Sequence, residues 1–105
     1  MNQTIHFIKG GFMEKYFFKI PNHLFEHGLS CKAIVVYCAL MRHAGTKLMC
    51  YPARKTIAAE CNISASTVDR ALAELASTGL IKKVNRKNVI GGKTSNIYYL
   101  DPGTN

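Results

Sequence analysis

Acidic residues are scarce in this chain. Six Asp and Glu stand against 14 Lys and Arg, leaving a formal charge of +8. Apolar runs are short as well. A membrane span needs about 18 consecutive apolar residues, and the longest candidate, Ala33 to Met41, falls far below that. The N-terminus carries no basic stretch followed by an apolar core, so no secretion signal is read and a cytoplasmic location is expected. Without export, the glycosylation-like triplets Asn2-Gln3-Thr4 and Asn62-Ile63-Ser64 carry no meaning. Cys31, Cys38, Cys50 and Cys61 include no C-x-x-C pair. Three of them fall where helices look buried, so reduced structural thiols are expected, and neither a metal site nor a cofactor.

No repeat, low-complexity tract or linker-like shift divides the 105 residues, which suit one folded domain with one core. Catalytic patterns are also thin. His23-Leu24-Phe25-Glu26-His27 matches the H-x-x-E-H zinc-protease pattern. Gly28 follows at once, however, and the chain is too short for a protease cleft. No His-x-His pair accompanies the tyrosines, which disfavours a DNA-nicking enzyme. The reading is therefore a non-enzyme with no evident small-molecule substrate.

What is present is unevenly placed charge. Residues 53–79 balance Arg54, Lys55 and Arg70 against Glu60, Asp69 and Glu74, whereas residues 80–105 set Lys82, Lys83, Arg86, Lys87 and Lys93 against Asp101 alone. A basic C-terminal end on a neutral helical middle points to a polyanionic partner.

Patterning supplies the elements. Residues 4–20 alternate in apolar character around Gly10-Gly11, which predicts one strand or two strands paired as a hairpin. Pro21-Asn22 opens a short helix that Gly28 stops. Ser30 caps a helix running to about His43, with Ile34, Tyr37, Cys38 and Met41 on one face, widened by Val35, Val36, Ala39 and Leu40. Leu48 to Tyr51 reads as a small strand. Leu80 to about Arg86 and Ser95 to Leu100 form a hairpin around a polar tip.

Between the small strand and the hairpin, Thr56 to Leu75 looks like one amphipathic helix broken at Asn62-Ile63-Ser64. Such a break lets a second helix cross the first steeply and project outward. Ala58 permits close approach, and Asn62 can adopt the left-handed conformation that ends the first helix. Ile63 plugs the angle and Ser64 caps the second helix, although Ser66-Thr67-Val68-Asp69 also has a capping-box shape. Val68, Leu72 and Leu75 form the second helix's buried stripe.

At these residues the sequence resembles the winged helix-turn-helix family. "TIAAECNISASTVDRALAELASTGLI" matches its core and "KKVNRKNVIGGKTSNIYYL" its wing. With "IPNHLFEHGLSCKAIVVYCAL" upstream, the likeness covers about residues 17–101. It extends to the DNA-binding domains of plasmid, phage and mobile-element replication initiators and of bacterial transcriptional regulators. Asn62 departs from the Gly that many members carry. Ala53 departs from a capping Ser, which leaves that helix start less well capped.

The resemblance implies a mainly α fold with a small antiparallel β-hairpin. Residues 1–20 would be an N-terminal arm and residues 21–101 the winged domain. The helix from Ser64 to Ser77 would enter the major groove of double-stranded DNA. Ala65, Ser66, Thr67, Asp69, Arg70, Ala73 and Glu74 would face outward. Arg70 either meets a base edge or phosphate, or pairs with Glu74 one turn along. Ser66 and Thr67 are short donors, Ser66 doubling as a candidate cap. Lys82, Lys83, Arg86, Lys87 and Lys93 would meet phosphate or the minor groove, with Arg54 and Lys55 as further phosphate contacts. Ile5, Phe7, Phe12, Tyr16, Phe17 and Phe18 exceed what so small a core needs, which suggests a homodimer built through the arm. The other function considered is a winged helix that contacts only protein; that would favour an apolar outward face.

Overall fold

The computed structural model describes residues 16–87 and 94–101. A short 3-10 helix, Asn22–Glu26, leads into α1 (Cys31–Ala44), β1 (Met49–Cys50), α2 (Arg54–Cys61), α3 (Ala65–Ser77), β2 (Ile81–Lys87) and β3 (Thr94–Leu100). Mainly helical with a small antiparallel sheet, this is the winged helix-turn-helix arrangement. Most of the strand and hairpin expected over residues 4–20, and Lys93, expected in the wing, lie outside the described residues. The expected strand does not continue through residues 17–20, which are exposed and in no strand or helix.

The start of α1 is fixed by Ser30, whose hydroxyl accepts from the Ala33 N–H at 3.2 Å. Its buried stripe is Ala33, Val36, Tyr37, Leu40, Met41 and Ala44. That stripe is rotated from the expected face: Ile34 and Cys38 are half-buried and Val35 is exposed. Ala33 is fully buried, and its small side chain does not announce that contact by bulk. Gly45, at φ 60° and ψ −139°, ends the helix in a conformation that side chains resist.

The sheet has the order β1-β3-β2, so the small strand joins the hairpin through Met49 opposite Tyr99 and Cys50 opposite Tyr98. The hairpin alone was expected; the third strand makes it a sheet. Two backbone bonds clamp its base, Leu100 N–H to Leu48 C=O and Asp101 N–H to Leu80 C=O, both 2.9 Å. Tyr37 is buried and donates its hydroxyl to the Asp101 carbonyl at 3.2 Å, tying α1 to the end of β3. Burial is the main reason its hydroxyl pKa is pushed up to about 12.

One core joins the layers, with Leu24, Val36, Tyr37, Leu40, Ile57, Val68, Leu75 and Tyr98 among its most enclosed members. Cys50 is its buried thiol, donating to the Leu40 carbonyl at 3.4 Å. The helical cysteines are less enclosed than expected: Cys38 and Cys61 are half-buried and Cys31 is exposed, and all four are free. Among the described residues no helix is long and apolar enough to cross a membrane.

Candidate nucleic-acid interface

The interface is built around the break between α2 and α3. Asn62 sits at φ 57° and ψ 47°, in the left-handed well. The Ile63 N–H bonds to the Ala58 carbonyl at 3.1 Å and the Asn62 N–H to the Ala59 carbonyl at 3.3 Å. These paired bonds are a Schellman closure, which satisfies the last carbonyls of α2 while turning the chain. Ile63 is half-buried against the core, plugging the angle as its position suggested. Ser64 then caps α3, its hydroxyl accepting from the Thr67 N–H at 3.1 Å. That settles the choice between Ser64 and Ser66 as cap. A second Schellman closure ends α3, with Leu80 N–H to Leu75 C=O at 3.2 Å and Gly79 N–H to Ala76 C=O at 3.1 Å. Gly79 supplies the positive φ of 83° that this closure requires. The start of α2 is weaker: Ala53 stands at its N-cap with no side-chain bond.

Held at both ends, α3 buries Val68, Ala71, Leu72 and Leu75 and turns Ser66, Asp69, Arg70 and Ala73 outward. Ala65, Thr67 and Glu74 are half-buried at the margins of that face. The Ser66 and Thr67 hydroxyls lie 3.1 and 2.8 Å from the Ser64 hydroxyl, so three hydroxyls cluster where the helix begins.

The charged residues of this face fall into two groups. Asp69 is bound by Arg54, with Nε to Oδ1 at 2.7 Å and Nη2 to Oδ2 at 2.8 Å. Glu74 is bound by Ser30, accepting from its backbone N–H and from its hydroxyl, each at 2.8 Å. Those two bonds, the backbone one foremost, hold the Glu74 carboxyl below the usual carboxylate range. Glu74 is thereby committed to the start of α1, and the pairing with Arg70 considered from sequence does not form. Arg70 is exposed and makes no ion pair or hydrogen bond among the described residues.

Lys82 and Lys83 are both exposed on β2, but neighbouring strand residues project to opposite faces. Lys83 is paired with Tyr98, which is buried, and that burial is the main cause of its raised hydroxyl pKa. Lys82 is paired with Tyr99 on the outer face. Arg86 and Lys87 continue β2 opposite Ser95 and Thr94, and Lys55 is exposed on α2. Sequence reading missed Tyr98 and Ser30 as parts of this region. No local signal could have found them, since Ser30 lies 44 residues from Glu74.

His23 and His27 of the H-x-x-E-H pattern meet edge-on with ring centroids 5.9 Å apart. His23 lies on the single 3-10 turn and His27 just beyond it, so the sustained helix that pattern needs is missing.

Comparison with known families agrees with this geometry. A model described as a helix-turn-helix domain matches residues 27–81, more than half of the chain. The chain belongs to the helix-turn-helix domain family. The matched span runs from His27 through α1, α2 and α3 to the first residue of β2. No curated protein and no solved structure gives a significant match.

Proposed function

We propose that this helix-turn-helix protein is a non-catalytic, double-stranded DNA-binding protein, acting in replication initiation on a mobile element or in transcriptional regulation. The observation that carries the reading is the outward face of α3. It is small and polar, is held at both ends by caps, and presents Arg70 without a partner among the described residues. An arginine in that state can give a bidentate contact to guanine O6 and N7 in the major groove. Lys83, exposed on the wing, and Lys55, exposed on α2, would supply phosphate contacts, while Ser66 and Thr67 offer hydroxyls at the start of α3.

A protein-contact role alone would call for an apolar outward face on α3, which Ser66, Asp69, Arg70 and Ala73 do not make. We assign the protein a homodimeric state, supported by the exposure of Tyr16, Phe17, Phe18 and Ile20 ahead of the domain. Two recognition helices would then address half-sites one helical turn apart. Selection of bound sequences from a random duplex pool is the test. A recovered inverted repeat supports the reading, and failure to retain any duplex at low salt overturns it. Sedimentation at tens of micromolar checks the dimer, which a monomeric full-length chain would contradict.

A further inference from the structure

Asp69 is an odd residue for a DNA-facing helix. It places a carboxylate where phosphates must approach, and its only direct base use would be to accept from cytosine N4. Both of its oxygens are already taken by Arg54. Arg54 reaches it from the first residue of α2, so the pair spans the two helices of the motif. Its side chains are 50% and 52% exposed. An ion pair this open contributes little to stability, so fixed geometry is what it supplies.

The geometry is specific. Arg carries five N–H donors. The fork to Asp69 engages Nε and one hydrogen of Nη2, leaving the two on Nη1 and the second on Nη2 turned away from the carboxylate. A guanidinium that would otherwise swing on a flexible stem is thus set in one plane between α2 and α3. The first helix of a helix-turn-helix crosses the DNA backbone, and Arg54 begins that helix.

We infer that Asp69 is a positioning residue that holds the Arg54 guanidinium with its remaining donors directed at a backbone phosphate of the bound duplex. This rests on the DNA-binding reading. It makes Asp69 favourable to binding although its charge opposes the ligand, and it makes Arg54 depend on shape as well as charge.

The test is fluorescence anisotropy with a random-sequence duplex across a salt series, using wild type, Asp69→Asn, Arg54→Lys and Arg54→Ala. Simple electrostatics gives Asp69→Asn tighter binding, since the net charge rises. Positioning gives the opposite sign, a loss of about five- to tenfold, the size expected when directly bonded side chains are uncoupled. Arg54→Lys keeps the charge but cannot form the fork, and is expected to bind as weakly as Arg54→Ala. All three variants should lower the salt slope by about 0.9, the signature of one lost phosphate contact. A merely structural role would reduce the folded fraction and leave that slope unchanged. Asp69→Asn binding as tightly as wild type or tighter, Arg54→Lys matching wild type, or an unchanged slope overturns the inference alone. A wild-type protein that binds no duplex overturns the DNA-binding reading with it.

Discussion

The recognition helix and the wing are both exposed and polar, but they hold their charges differently. On α3 the two carboxylates are already engaged within the protein, Asp69 by Arg54 and Glu74 by Ser30, and Arg70 is left without a partner among the described residues. On β2, Lys82 and Lys83 are exposed cations whose side chains make neither hydrogen bond nor ion pair among those residues, on opposite faces of a strand. A helix whose orientation is fixed by several long-range bonds can present one donor accurately, as base reading requires. A strand of loosely held cations can only follow a charged backbone. On the proposed DNA-binding reading, the two parts would divide sequence recognition from general affinity.

The contrast can be broken most severely at the anchor of α3. Leu75 is fully buried, so Leu75→Ala should cost about 2–5 kcal/mol of stability. Val84 on β2 is 37% exposed, and Val84→Ala should cost well under that. Urea unfolding of both variants checks the difference, and equal costs would mean that the wing is as tightly packed as the helix.

The turn that aims α3 comes next. Asn62→Val should cost about 1–2 kcal/mol through left-handed strain, and Asn62→Gly should be close to neutral. Melting temperatures decide it: a Val variant that melts with wild type would show the turn to be unstrained. At the other end of α2, Ala53→Ser should add about 1 kcal/mol by giving the helix a cap that it lacks, provided the φ of −70° and ψ of 151° are kept. No gain in thermal stability would contradict the vacant cap.

These features differ in how visible they were beforehand. The break at Asn62, the cap at Ser30 and the missing cap at Ala53 are local chemistry, decided by residues within a few positions of one another, and were legible; the cap of α3 was legible only as Ser64 or Ser66. The buried stripe of α1 was partly legible, because Ala33 belongs to it and a small residue does not reveal a contact. What could not be read is what the chain brings together over distance. β1 pairs with a strand about fifty residues later, Arg54 meets Asp69 across a turn whose angle sets their separation, and Ser30 grips Glu74 from another helix. The sequence alone presents Asp69 as an outward residue of α3 and Arg54 as a separate phosphate contact. Their pairing changes what each can do, and only the crossing angle of α2 and α3 decides it.

The smallest expected effect concerns the grip on Glu74. Its carboxyl is depressed in the folded protein by the Ser30 bonds, so its contribution is complete above the ordinary carboxylate pKa and is lost as pH falls through the lowered folded value. Glu74→Gln should flatten the stability profile in that acid window and leave the profile above neutrality parallel to wild type. Acid unfolding curves that coincide for the two proteins would show the grip to be inert.

The division between reading and general affinity is tested most directly by anisotropy with Arg70→Ala and Lys83→Ala, on a selected and a scrambled duplex over a salt series. Arg70→Ala should weaken the selected duplex by about 1–3 kcal/mol and spare most of the affinity for the scrambled one. Lys83→Ala should weaken both alike and lower the salt slope by about 0.9. If Arg70→Ala weakens both duplexes equally while Lys83→Ala alters the preference between them, the roles assigned to helix and wing are reversed.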